Sequence, residues 1–189
     1  MLVIEQAAPG RIDPAAIDAR VLCGDAVSVR VSRSGFGITY TPTGSSHWRA
    51  FDLSPRARDA LQGLIPSAAI FGAFKDETPV GLAVTVNSRS NWTELLDLRV
   101  DTGSRQEGIG RALLEACQRE ADQDGMAGLR AVISDANPQL CQFCEHCGFR
   151  LEGLDRLAFA MTSEERIKPL MRRASALIFY RQKERSMSV

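Results

Sequence analysis

A chain of 189 residues is long enough for one compact domain with a substantial core, and 44% hydrophobic with 24% charged residues is ordinary globular composition. Lysine plus arginine number 23 and aspartate plus glutamate 23, so no global field draws the molecule to nucleic acid or to an anionic membrane, and an anionic ligand must be held by local geometry. No apolar run approaches the roughly 18 residues of a membrane span, the start Met1-Leu2-Val3-Ile4-Glu5-Gln6 has no signal-peptide pattern, and five cysteines in such a chain read as reduced thiols of a cytoplasmic protein.

The first part of the chain is irregular. Residues 27–32 alternate apolar with polar, Ser34-Gly35 is a turn signal, and 36–41 alternate again, which predicts a hairpin. Residues 41–47 (Thr-Pro-Thr-Gly-Ser-Ser-His) have the composition of a loop. Ser54-Pro55 supplies an N-cap and a first-turn proline for a short helix ending near Gly63. Residues 68–74 and 79–86 read as strands joined by the polar turn Lys75-Asp76-Glu77-Thr78.

From residue 93 the order becomes regular: a strand over 93–100, a helix over 108–124 with Gly125 at its end, and a strand over 129–134. A short helix over 138–147 is closed by Gly148, and a strand follows over 149–160. Thr162-Ser163-Glu164-Glu165 fits a capping box for a further short helix, 174–180 reads as a last apolar strand, and 183–189 as a fraying tail. Strands separated by single helices argue parallel pairs, while the early hairpins argue antiparallel ones. The expected class is therefore α/β, a mixed sheet covered by helices.

The chemistry concentrates between the strand ending at Val100 and the helix beginning near Gly108. A helix start offers several backbone N–H groups without internal partners and the positive end of the macrodipole. Gly108 and Gly110 let a phosphate approach that backbone without meeting a Cβ, and Arg105 and Arg111 add charge at the two ends. The same glycines would also serve a tight strand-to-helix turn that binds nothing.

Arg105-x-x-Gly108-x-Gly110, after Leu95-Leu96-Asp97-Leu98-Arg99-Val100 and before Ala112-Leu113-Leu114, resembles the acetyl-CoA motif of the GNAT acetyltransferase superfamily. Asn137, then Phe143-Cys144-Glu145-His146-Cys147-Gly148-Phe149, is similar to the family's Asn-…-Phe-Tyr-Glu-Lys-x-Gly-Phe segment. Glu152-Gly153-Leu154-Asp155-Arg156 and Ala176-Leu177-Ile178-Phe179-Tyr180 resemble the last two strands of the streptothricin-acetyltransferase-like branch. The resemblance implies a GNAT-type acyl-CoA N-acyltransferase fold, a mostly antiparallel central sheet with a parallel pair in the middle and helices on both faces. It implies a single domain over 1–189, with 1–66 on the acceptor side, 67–160 as the acetyl-CoA-binding core and 161–182 as a C-terminal helix and strand.

The resemblance also implies roles. The pantetheine arm would pair with strand backbone at Leu98, Arg99 and Val100, and the pyrophosphate would sit on the amides between Gln106 and Arg111 (Gln106, Glu107, Gly108, Ile109, Gly110 and Arg111), with Arg105 adding its charge to the cofactor site. Asn137 matches a residue that reaches the cofactor near the thioester, although Asn137-Pro138 is equally a good helix start. The implied reaction is attack of a neutral amine on the acetyl-CoA thioester in a ternary complex, the acceptor being a small-molecule primary amine. An ammonium titrates near pH 10 (about 10.4 for lysine), so a base or a water chain must remove a proton first. Asp97 is the leading base and Glu94 the alternative; Asp97 and Arg99, two residues apart on one strand face, equally suit a structural ion pair. Cys144 stands at the position of the tyrosine that commonly protonates the departing thiolate, which leaves Cys144, Tyr40, Tyr180 or water for that step.

Two readings of other classes stand beside this one. In one the chain has lost turnover and acts as a regulatory acyl-CoA-binding protein; in the other Cys141, Cys144 and Cys147, with His146 among them, form a metal or redox module. On a helix, three-residue steps advance about 300° each, so the three sulfurs spread over about 120° and converge poorly; no metal is expected. Tyr40, His47, Trp48 and Phe51 either line the acceptor slot or pack in the core. Neither a nucleic-acid nor a membrane partner is expected, and a homodimer is left open.

Overall fold

The computed structural model describes residues 1–156, 158 and 174–183. Among them the order is β1 (Leu2–Gln6), β2 (Val21–Ser32), β3 (Gly35–Arg49), α1 (Pro55–Leu61), β4 (Ala68–Lys75), β5 (Thr78–Asn87), β6 (Thr93–Val100), α2 (Ile109–Gln123), β7 (Gly128–Ser134), α3 (Pro138–His146), β8 (Arg150–Asp155) and β9 (Ala176–Gln182). The helix expected from the Thr162 capping box, the end of the strand expected over 149–160 and the tail beyond 183 lie outside the described residues. Seven of the strands form a mixed sheet in the order β1-β4-β5-β6-β7-β9-β8, with β6 and β7 as its one parallel pair, and β2 and β3 form a separate ribbon. No described helix is long and apolar enough to cross a membrane.

The chain divides into two compact units. The first comprises Met1–Arg20, Ala50–Arg130 and the strand residues from Arg181; the second comprises Val21–Arg49 and the described part of Ala131–Tyr180, so β7 and β9 run from one to the other.

In the first unit β4 and β5 are buried on both faces, which is why they read as nearly continuous apolar runs rather than alternating ones. Their two-residue turn places Asp76 and Glu77 at positive φ, the conformation a tight hairpin needs. Leu82 and Val84 of β5 pack with Ala60 and Leu61 of α1 and with Ile12, Ile17, Ile70 and Phe74. Gly81, one residue from Leu82 and therefore facing the other way, lies against Leu113 and Ile109 of α2. The two helices thus cover opposite faces of this part of the sheet. Ser54 caps α1, accepting from the Ala57 amide at 3.1 Å, as the sequence suggested.

Two departures from expectation concern strands. The first is β1, which the sequence did not announce; it pairs antiparallel with β4, Leu2 opposite Lys75 and Gln6 opposite Phe71. The second is in the other unit, where residues 41–47 are strand rather than loop: β3 continues to Arg49, with His47 opposite Cys23 and Trp48 opposite Leu22. Loop-like composition misleads here because the register shifts between Cys23 and Asp25, and Gly44, at φ +77°, absorbs the irregularity as a bulge. The exposed ribbon has little apolar alternation on this stretch to reveal it.

Candidate active site

On β6 the site is shaped by a bulge. Val84 is opposite Asp97 and Thr85 is opposite Leu95, so Leu96 is the extra residue. Simple alternation would put Glu94 on the face opposite Asp97 and Arg99. With the bulge, Glu94, Asp97 and Arg99 are paired with Val86, Val84 and Leu82, which share one face of β5, and the three charged residues share it too. This is the face of α1: Arg56 of that helix forms an ion pair with Glu94, and Arg130 donates to the same carboxylate at 3.3 Å.

Asp97 and Arg99 form a two-point pair, Arg99 Nε to Asp97 Oδ2 at 2.6 Å and Nη2 to Oδ1 at 2.8 Å. Both side chains are little exposed, 13% and 12%. Burial works against the Arg99 cation, but the hydrogen bonds and charge of Asp97, with Asp52 behind it, outweigh that and hold its pKa above the ordinary value. The pairing foreseen between these two residues is thus present. Each carboxylate oxygen accepts more than one hydrogen bond, so the pair does not by itself exhaust Asp97 as a proton acceptor.

After β6 the chain makes a short 3-10 turn over Thr102–Ser104 and enters the glycine loop. Arg105 is half-buried and donates from Nε to the Val100 carbonyl at 3.2 Å, tying the loop back to the end of β6. Burial lowers the pKa of its guanidinium. Gln106 takes a positive φ of 64° and Gly108 one of 81°, so the backbone turns through two left-handed residues before α2. Gly108 is the N-cap, no side chain caps the helix, and a Cβ built on Gly108 would meet nothing within 4 Å. Gln106, Glu107, Gly108 and Arg111 are exposed, Gly110 is half-buried and Ile109 anchors the turn from the core. The loop is open where an anion would have to enter. At its edge Lys75, the last residue of β4, is 2.7 Å from Glu107 Oε2 and donates to Ser104 Oγ at 3.2 Å. Sequence reading missed Lys75, because a lysine at a strand end is unremarkable until the fold brings it to a loop some thirty residues on.

In the second unit, Asn137 caps α3, its Oδ1 accepting from the Leu140 amide at 3.1 Å, and is itself buried. Cys141 and Cys144 of α3 are fully buried and Cys147 nearly so. Burial pushes the Cys141 thiol up to about 12 and raises that of Cys144 further. Among the described residues, no three His, Cys, Asp or Glu side chains are grouped as a metal would need. Tyr40 of β3 donates its hydroxyl to Glu145 Oε2 at 2.5 Å; burial first, then Glu145, raise its pKa.

A mixed sheet whose one parallel pair, β6 and β7, is joined in the chain through a helix started on a left-handed glycine is the arrangement expected of the acyl-CoA N-acyltransferase class of fold. Residues 41–149, more than half of the chain, match the family model described as Acetyltransferase (GNAT) family. The protein belongs to the GNAT acetyltransferase family and is a transferase by that membership.

Solved structures agree on the fold. A candidate streptothricin acetyltransferase from Bacillus anthracis strain Ames, solved with acetyl-CoA, superposes with a TM-score of 0.79 at 19% identity, over 97% of this chain and 100% of that one. Nourseothricin acetyltransferase gives 0.73 at 20%, over 96% and 98%. A GNAT-family acetyltransferase from Elizabethkingia anophelis with acetyl-CoA bound gives 0.62 at 12%, over 96% and 98%. No protein of curated function matches the chain in sequence.

Proposed function

We propose that the protein transfers the acetyl group of acetyl-CoA to a primary amine of a small molecule, by direct attack within a ternary complex. The observation that carries this reading is the start of α2: exposed, capped by no side chain, and begun on a glycine whose Cβ position is open. There the first amides of the helix lack intrahelical partners and the Cβ position of the glycine before them is open, which suits the approach of a diphosphate. Family membership supplies the rest of the cofactor reading, with Leu98, Arg99 and Val100 as the backbone edge for the pantetheine arm. Two solved structures with the same fold hold acetyl-CoA. Likeness to structures named for streptothricin and nourseothricin supports a compound rather than a polypeptide as acceptor.

Chemically, the amine nitrogen forms a bond to the thioester carbonyl carbon and the carbon–sulfur bond breaks. One proton must leave the ammonium before attack, and the nitrogen of the adduct gives up a second as the carbon–sulfur bond breaks, which ends on the departing thiolate. Asp97 accepts the first, directly or through water, while Arg99 fixes its orientation; Glu94, brought to the same face by the bulge, is the alternative acceptor. Water delivers the second, because the Cys144 thiol is fully buried and held above its ordinary pKa, which makes it a poor acid.

A second reading, an acyl-CoA-binding regulator without turnover, is favoured by that same buried cysteine at the usual tyrosine position. Calorimetry with acetyl-CoA followed by an amine panel scored for thiol release separates the two. We expect binding and thiol release with at least one amine. Binding with no release across a broad panel would favour the regulator, and absence of binding would sink both.

A further inference from the structure

Lys75 and Glu107 hold each other at the entrance of the glycine loop. The ammonium lies 2.8 Å from Glu107 Oε1 and 2.7 Å from Oε2, and it also donates to Oγ of the buried Ser104 at 3.2 Å. Glu107 immediately precedes Gly108, the N-cap of α2, so the ion pair is held on the residue that leads into that helix start, where a negative charge is favoured. The chain thus places a cation and its carboxylate partner on the loop that the reading above gives to the diphosphate of acetyl-CoA. A diphosphate on that loop and the Glu107 carboxylate repel one another, and the carboxylate is carried on a long, 47% exposed side chain.

We infer that Lys75 is a further cofactor-binding residue, and that its ammonium exchanges the Glu107 carboxylate for a diphosphate oxygen when the carrier enters the loop. The inference rests on the acetyl-CoA reading. Three features support exchange over a permanent brace. An ion pair this exposed is weak and screened by salt, so breaking it costs little. A lysine carries a point charge on a long stem, suited to moving between oxygens rather than locking one in a planar fork. The bond to buried Ser104 keeps the stem at the loop while the partner changes, so the cation is already in position. Glu107 in turn neutralises the ammonium until the ligand arrives.

The sign of one substitution decides the matter. Calorimetric titration with coenzyme A, at low and high salt, would compare the native protein with Lys75→Met, Glu107→Gln and the double variant, each checked for an unchanged melting profile. Exchange predicts that Glu107→Gln binds about threefold to tenfold tighter, that Lys75→Met binds about tenfold weaker with a flatter salt dependence, and that the double variant follows Lys75→Met. Lys75→Arg should retain most of the native salt dependence, which guards against a packing effect of methionine. Weaker binding by Glu107→Gln would make the pair a brace and overturn the exchange. Repeating the series with 3′-dephospho-coenzyme A locates the contact: a persisting Lys75→Met penalty supports the diphosphate, and a vanished one overturns it. Native protein that binds no coenzyme A would sink the cofactor reading itself, whereas native binding unaffected by any variant sinks only the exchange.

Discussion

Asp97 and Arg99 show how far one strand's pattern can be trusted. Their spacing of two already placed them on one face, and the bidentate pair confirms that neighbourhood. The same rule would misplace Glu94, because an inserted residue at Leu96 reverses the parity of everything before it and nothing in Thr93-Glu94-Leu95-Leu96-Asp97 betrays the insertion. If Asp97 takes the proton, Asp97→Asn should lower kcat by about tenfold or more while acetyl-CoA affinity stays within about threefold, since proton transfer contributes roughly a hundredfold to ten-thousandfold. Glu94→Gln, measured alongside, should do less. Steady-state kinetics giving the reverse order would move the role to Glu94. At Gly108 the open space and the backbone make separate demands. Gly108→Val strains a β-branched residue at φ +81°, costing about 1–3 kcal/mol, so loss of binding there is ambiguous. Asparagine tolerates the left-handed region, so Gly108→Asn should fold normally yet bind acetyl-CoA several-fold more weakly, because its side chain fills the entrance. Calorimetry showing native affinity for Gly108→Asn would argue that no anion lodges against that residue.

Elements with their own end signals were legible; those defined by partners were not. Ser54-Pro55, Gly125, Asn137-Pro138 and Gly148 mark helix ends that the structure places within a residue or two of expectation. β1 and the far half of β3 exist because β4 and β2 offer them edges, and no local residue pattern could say so. α3 carries a harder lesson. Its start and stop could be read, and its match to the family segment also, but not that the position of the usual tyrosine would be sealed in the core. Cys144 has no exposed surface, so restoring a phenol there does not simply restore a proton donor. Cys144→Tyr should overpack α3 and destabilise the protein by about 1–3 kcal/mol without raising turnover. A melting-temperature drop of roughly 2–4 °C per kcal/mol is the expected readout. A stable variant with faster thiol release would show that the cysteine is a lost catalytic position rather than packing.

At the scale of the whole molecule, charge balance was the most informative number in the sequence, because zero net charge left local geometry as the only means of holding an anion. The same scale governs how the protein meets alkali. Cys117 and Cys141 are fully buried thiols, each pushed by burial from an ordinary value of 9.0 up to about 12. An unfolded chain would release these protons near pH 9, whereas the folded one holds them. The contribution is therefore complete below pH 9 and lost as pH climbs towards 12, since above pH 9 the unfolded state binds fewer protons and is favoured increasingly. Melting temperature should accordingly be insensitive to these thiols from neutral pH to about 8 and then fall steadily, by roughly 2–4 °C for each kcal/mol lost. Cys117→Ala isolates the cause. Its cavity lowers the melting temperature at pH 7, but its alkaline slope should be shallower than that of the native protein, because one of the resisting groups is gone. Parallel slopes for the two proteins between pH 9 and 11 would assign the alkaline loss to other groups and leave the thiols as passive packing.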